Sequence, residues 1–358
     1  MRLLVSTTAN DGHFGPLVPF ARACVASGHD VRVAAPASYA GPVAAGGLVH
    51  EAFADPLQAI VDAVMVRLPM LSFDEANATV IRDVFATIDA QAALPALTAT
   101  MRSWRPDLLL RDPAELGSLA AAERTGVPHA QVAIGMQEIV TLFADLTVGP
   151  LAELGSIADL PADRLSSAVA GEPILSLVPE ALDRAGDPAY RDDLTVSRFR
   201  DEAPPTDAAA RPLPAWGDPG RPLVYVTFGS VTGLLTPFAG VFREALDALA
   251  DQPVRVLLTI GRRFDIARLG RLPANAHVES WWPQADALAR ASAVLGHGGF
   301  GTTMGALAAG IPQVIAPIFT SDQVVNARHV AAIGAGIAVA PGADVVSRAC
   351  AEIADLLA

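Results

Sequence analysis

Residues 201 to 222 hold six prolines (Pro204, Pro205, Pro212, Pro214, Pro219 and Pro222) and no periodicity, the composition of a linker. On either side of it the chain repeats one pattern. Before it, short apolar runs predict strands at Leu3–Ser6, Val31–Ala35, Leu108–Leu110, His129–Ala133 and Ile174–Val178. Helical spacing separates them, at Pro16–Ser27 (closed by Gly28), across most of 57–100, at Ala114–Arg124 and over 137–168. After it, strands are expected at Leu223–Thr227, Val254–Thr259, Ala293–Leu295, Gln313–Ala316 and Ile337–Val339. Helices between them are expected at Pro237–Ala250, Phe300–Ala309 and Asp322–Ile333, and a last one at Asp344–Leu357. Two βαβ series mean an α/β chain with two parallel sheets: a Rossmann-like domain over 1–200, a linker over 201–222, a second such domain over 223–343, and a terminal helix over 344–358. Ligands bind beyond the carboxyl ends of such strands, so the two domains are expected to face one another across a cleft.

With 358 residues, 52% of them hydrophobic, the chain has material for two cores. A net charge of −13 and the lack of any basic run argue against nucleic acid as a partner. All 25 basic residues are Arg, which removes Schiff-base chemistry and a Walker-type phosphate loop. Cys24 and Cys350 are far apart in apolar settings and read as two buried thiols. The opening apolar run ends at Ser6, too short for a signal peptide. The stretch 291–321 lacks Asp, Glu and Arg, but its glycines and prolines break any spanning helix, so no stable membrane insertion and a cytoplasmic location are expected.

Chemistry concentrates in a few segments. Gly296-His297-Gly298-Gly299-Phe300-Gly301-Thr302-Thr303 follows a strand and opens a helix. Its glycines allow close backbone approach, the helix start offers free N–H groups to a phosphate, and His297 adds a donor. The alternative is a packing loop. Just upstream, Trp281-Trp282-Pro283-Gln284 could stack a flat base and bond a ribose, or fill a core. Downstream, Asp322 and Gln323 open another helix and could hold sugar hydroxyls, or Asp322 could simply cap it. In the first half, His13 lies in the loop Asn10–Pro16, placed to take a proton from a hydroxyl. Asp112, past the strand 108–110, is the candidate carboxylate to orient it, with Asp11 and Glu115 as rivals and a helix cap as the plain reading.

The run from Trp281 to Gln323 resembles the donor-binding signature of the UDP-glycosyltransferase superfamily, whose members have the GT-B fold. The similarity is greatest to bacterial natural-product (antibiotic and macrolide) enzymes, and it extends to the first 35 residues, including Gly28-His29-Asp30-Val31. The resemblance implies an inverting hexosyltransferase in which Trp281 stacks on the base, the backbone of Trp282 reads its edge and Gln284 binds ribose. Gly229, Ser230, His297, Gly298, Gly299, Gly301 and Thr302 would meet the diphosphate, Asp322 and Gln323 the sugar. His13 would be the catalytic base, and the terminal helix would pack back on the first domain. A helix-turn expected between Val339 and that helix is missing.

Partners follow from this: a TDP- or UDP-sugar as co-substrate and a small hydrophobic aglycone as acceptor. The acceptor would lie against Phe14 and the segments holding Met70, Phe73 and Met136. Neither a metal nor another cofactor is expected, because no Asp-x-Asp motif or metal-type His spacing occurs. A homodimer is compatible with the chain. Two other readings stay open: a nucleotide-sugar epimerase or hydrolase on the same fold, and a non-catalytic homologue that binds nucleotide and partners another transferase.

Overall fold

In the computed structural model, which describes residues 1–201 and 212–357, the chain forms two compact α/β units. The first comprises residues 1–180 and 189–201, the second 181–188 and 202–358. The expected domain boundary thus differs in one respect: eight residues ahead of the linker belong to the second unit. Of the linker itself, 202–211 lie outside the described residues.

The first unit is built on seven parallel strands: β1 (Arg2–Ser6), β2 (Asp30–Pro36), β3 (Val49–Phe53), β4 (Leu108–Arg111), β5 (His129–Val132), β6 (Ile174–Ser176) and β7 (Val196–Arg198), in the order β3-β2-β1-β4-β5-β6-β7. The second unit has β8 (Leu223–Thr227), β9 (Arg255–Thr259), β10 (Ala276–Glu279), β11 (Ala293–Gly296), β12 (Gln313–Ile315) and β13 (Gly336–Ala338), in the order β10-β9-β8-β11-β12-β13. Both are doubly wound sheets. Winding outward from the first strand in one direction and then in the other leaves a switch point, between β1 and β4 and again between β8 and β11. Strand alternation supplies two cores per unit. In β1, Leu4 packs under the helices Ala90–Ser103 and Gly117–Thr125, while Leu3 and Val5 face Leu17, Ala21 and Val43. In β8, Val224 and Val226 face one layer, Leu223 and Tyr225 the other.

Three strands were not expected, β3, β7 and β10, and each closes the edge of its sheet. An edge strand is half solvated, so Val-His-Glu-Ala-Phe or Ala-His-Val-Glu need not be an apolar run. The long helical region of the first unit is divided into Gln58–Met65, Phe73–Thr79 and Ala90–Ser103, with the ten residues Val80–Asp89 widened to π geometry between the last two. Phe73–Thr79 starts at a capping box in which Ser72 and Glu75 satisfy each other's backbone N–H.

The terminal helix Val345–Leu357 belongs to the second unit. Val345, Val346, Ala349, Cys350 and Ile353 complete the core beneath β8, and Glu244 accepts from the backbone and hydroxyl of Ser347. Its apolar face thus lies in the core of its own unit. Among the described residues one helix, Gln137–Ile157, is long and apolar enough to cross a membrane. It carries Pro150 and packs Leu151 and Leu154 into the core of the first unit.

Candidate functional site

In the first unit, the residues of interest emerge at the switch point. Beyond β1, Asn10 caps a single helical turn, Asp11–Phe14, by accepting from the Gly12 N–H. That turn carries His13. Beyond β4 comes Asp112, and the two meet: His13 Nδ1 lies 3.4 Å from Asp112 Oδ1. Asp112 is sealed from solvent and heavily bonded. Oδ2 accepts from the Thr7 hydroxyl (2.8 Å) and the Thr8 N–H (3.1 Å); Oδ1 accepts from the amides of Ala114 (2.6 Å) and Glu115 (3.0 Å). The plain reading of Asp112 as a helix cap does not hold: the helix Gly117–Thr125 begins at Leu116 without a side-chain cap, and the Ala114 and Glu115 amides bonded to Asp112 belong to the turn ahead of it. Burial opposes ionisation of Asp112, but the charge and hydrogen bond of His13, with the bonds from Thr7 and Thr8, outweigh it and hold the carboxyl below its usual range.

Arg111 fixes the turn that presents Asp112. Its fully buried guanidinium donates to the carbonyls of Asp112 (3.0 Å) and Pro113 (3.4 Å), to Gln131 (3.1 Å) and to Glu172. Glu172 also pairs with His129 at 2.8 Å, and His129 reaches Glu123 at 2.9 Å through its other nitrogen. Burial disfavours the imidazolium of His129, yet the bonds to Glu172 and Glu123 win and raise its pKa.

Of the two rival carboxylates, Asp11 accepts from the Tyr39 hydroxyl, and Glu115 accepts from Ser6 (2.7 Å) and the Ser118 N–H. Neither bonds His13. Two residues at this site were not anticipated. Phe85, on the π stretch, places its ring 5.1 Å from that of His13 and stacks on Phe143. Asp89, four residues on, has its pKa pushed up to about 7 by burial first, then by the charges of Glu115 and Asp112, against the opposing pull of His13. Neither sits in a motif, and π geometry has no sequence signature, so nothing in the sequence signalled them.

The acceptor contacts need correction. Phe14 is buried in the core edge-on to Tyr39, and Met136 is entirely buried at the start of the helix Gln137–Ile157, so neither presents surface to a ligand. Their apolar character reflected packing. Met70 and Phe73 are exposed, the one ahead of the capping box and the other at the first residue of its helix.

In the second unit, strand register sets the geometry. Glu279, Thr259, Thr227, Gly296 and Ile315 are level across the sheet. Trp281, Gly261, Gly229, Gly298 and Pro317 therefore stand two residues beyond the carboxyl edge of adjacent strands. Gly229 (φ +77°) and Gly298 (φ +91°) adopt left-handed backbone. Close packing makes them and Gly299 necessary. A Cβ at Gly229 or Gly299 would lie 2.8 or 2.6 Å from the His297 ring, and one at Gly298 would lie 2.7 Å from the Gln323 carbonyl. Asn326 secures the loop by donating to the Gly298 carbonyl at 2.7 Å.

The helix Phe300–Ala308 then begins at Gly299 without any side-chain cap, leaving its first amides to an external acceptor, and Gly301 opens onto free space. His297 is buried, burial lowers its pKa to about 4, and its Nδ1 is sealed without a partner among the described residues. It is a neutral imidazole at physiological pH.

The other residues singled out in this half lie in the loops and helix starts that follow the same strands. Ser230 is exposed beside Gly229. Trp281 is exposed, and the Arg262 guanidinium lies 4.3 Å from its ring centre. The Trp282 indole is buried against Leu223, Tyr225 and Leu257, so its backbone alone is available to a ligand. Gln284 donates to the Thr302 hydroxyl at 2.8 Å. Gln323 is buried, and its carbonyl accepts from the amides of Ile318 (2.7 Å) and Phe319 (3.1 Å), which anchors the preceding loop. Asp322 is half-buried on the first turn of the helix Ser321–Ala332.

Comparison with known proteins agrees across both units. The chain matches the erythromycin biosynthesis protein CIII-like N-terminal domain over residues 22–153 and the corresponding C-terminal domain over 243–357. The L-demethylnoviosyl transferase of Streptomyces niveus is 31% identical over 356 residues, covering 97% of this chain and 87% of that protein. Among solved structures, glycosyltransferase SnogD from Streptomyces nogalater has a TM-score of 0.70 at 26% identity, covering 100% of this chain and 94% of SnogD. Glycosyltransferase VinC, solved in complex with dTDP, has a TM-score of 0.70 at 24% identity, covering 100% and 91%.

Proposed function

The chain belongs to the erythromycin biosynthesis protein CIII-like family and is a glycosyltransferase of GT-B fold, and from that premise we propose the reaction it catalyses. It moves a deoxysugar or hexose from a TDP- or UDP-sugar to a hydroxyl of a hydrophobic natural-product aglycone, with inversion and without a metal. The observation that carries the reading is the uncapped helix start at Phe300 beside the neutral, partly unpartnered His297. Amides and a dipole end there can take up the charge of a departing nucleoside diphosphate, as a metal would elsewhere.

His13 supplies the base. Its Nδ1–H is directed to Asp112, which leaves the Nε2 lone pair for the acceptor hydroxyl. As the proton moves to Nε2, the acceptor oxygen bonds to the anomeric carbon and the carbon–oxygen bond to the diphosphate breaks. The imidazolium so formed is stabilised by Asp112. One displacement inverts the anomeric centre, and no carboxylate nucleophile is required. We read the enzyme as cytoplasmic, in keeping with the packing of Gln137–Ile157 within the first unit.

The test is His13→Ala. Transfer monitored by mass spectrometry with TDP- and UDP-sugars should fall by roughly 10²–10⁴-fold, while calorimetric affinity for TDP stays unchanged. Activity should survive chelator, and NMR of the product should show the inverted anomer. Sugar isomerisation or release without acceptor, at the transfer rate, would sink the assignment in favour of an epimerase or hydrolase.

A further inference from the structure

The phosphate-facing edge of the second unit has a shortage of charge. The chain carries −13 overall, and no Arg occurs between 291 and 321. A helix start contributes only about half a charge, and His297 is neutral. A nucleoside diphosphate brings at least two negative charges, so a cation nearby would matter.

Arg262 is placed to supply it. β9 lies between β10 and β8, and its last residue, Thr259, is level with Thr227 and Glu279. The chain then turns at Gly261 (φ +84°), so close to the glycine loop beyond β8 that a Cβ there would lie 3.4 Å from the Ser230 carbonyl. Arg262 follows immediately. Its guanidinium covers one face of the Trp281 indole at 4.3 Å and makes no ion pair or hydrogen bond among the described residues. Neighbouring strands are about 4.8 Å apart, so Arg262 stands one strand from the base platform and one from the Gly229–Ser230 loop.

We infer that Arg262 is a nucleotide-site residue, backing the Trp281 indole on one face and bringing its charge to the donor diphosphate. This rests on the reading of Trp281 and Gly229 as donor-binding. The planar fork suits both tasks: it stacks on an indole and presents parallel N–H donors at its edge to phosphate oxygens. Diphosphate contact needs no new backbone conformation, because the guanidinium is exposed and unpaired.

The experiment is calorimetry of TDP and of thymidine with wild type, Arg262→Ala and Arg262→Lys. Arg262→Ala should weaken TDP by roughly 10- to 100-fold, the scale of a hydrogen bond to a charged group. Thymidine, which has no phosphate, should weaken by no more than about 5-fold, the scale of an exposed cation–π contact. Arg262→Lys should fall between the two for TDP, since a point charge cannot lie flat on the ring. The melting temperature should not move, because the side chain is exposed. Unchanged TDP affinity in Arg262→Ala would overturn the inference while leaving the transferase reading intact. Equal losses for TDP and thymidine would overturn the charge role. Failure of the wild type to bind TDP or UDP would overturn both readings.

Discussion

The His297 ring leaves no room for a side chain at Gly229 or Gly299, and this yields a prediction with two separable parts. Gly299 has φ −60°, open to any residue, whereas Gly229 has φ +77°. An added methyl would stand 2.6 Å from His297 Cε1 at position 299, and 2.8 Å from both Cε1 and Nε2 at position 229. Gly299→Ala therefore introduces a clash alone, and overpacking of this kind costs about 1–3 kcal/mol. Gly229→Ala adds a left-handed alanine, about 1–2 kcal/mol more. For a unit of this size Gly299→Ala should lower Tm by roughly 2–12 °C, and Gly229→Ala should lower it further. The ring is buried and can relieve the clash only by rotating, so both variants should also lose the His297 contact with phosphate. A charge-assisted hydrogen bond is worth about 1.5–3 kcal/mol, or roughly 10- to 100-fold in TDP affinity. Calorimetric unfolding and TDP titration read the two parts. If Gly299→Ala melts lower but binds TDP like wild type, His297 does not touch the diphosphate and the phosphate site is misread.

The buried Arg111–Glu172–His129 network gives two further expectations. Glu172→Gln should cost about 3–5 kcal/mol by leaving the sealed guanidinium uncompensated, measurable by urea unfolding followed at a tryptophan. The raised pKa of His129 means that its contribution to stability is complete below the unfolded value and is lost as pH rises through the folded one, so a His129→Gln variant should close its gap to wild type in alkali. Asp89 has the opposite sense: an acid whose folded pKa is raised destabilises increasingly as pH rises from about 4 to about 7. Asp89→Asn should accordingly be neutral at pH 4 and stabilising at pH 8, by at most about 4 kcal/mol and less as solvent screens the charge; equal Tm gains at both pH values would refute this.

What could be read in advance, and what could not, follows from how local each signal is. The glycine-rich turn at 296–302 and the runs at 223–227 and 293–295 depend on neighbours in sequence, and the structure places them within a residue or two of expectation. Alternation of elements made Asp112 a candidate partner for His13 beside Asp11 and Glu115, but the choice among them needed the strand order, which brings the ends of β1 and β4 together. The side of an element on which a residue falls is a tertiary property. Phe14 and Met136 are as apolar as a ligand wall must be, and nothing local distinguishes a wall from the core beneath it. Gln284 and Gln323 were expected to meet a ribose and a sugar, but their amide groups serve Thr302 and the 318–319 backbone, pairings created only when separate loops meet. Phe85 and Asp89 reach the site through a widened helix that periodicity cannot register.

The assignment of 181–188 to the second unit has a practical consequence for dissecting the molecule. Within that unit the buried His329 ring takes the Leu182 carbonyl at 2.8 Å, and Gly186 lies against the backbone of Arg328 and His329. A gene fragment begun at the proline segment would express the second unit without this strip, stripping a sealed imidazole of that acceptor. The two units are interleaved along the polypeptide, so a fragment holding the whole second unit has to start no later than residue 181, and chimaeras spliced at the linker inherit the strip of whichever parent supplies the first half.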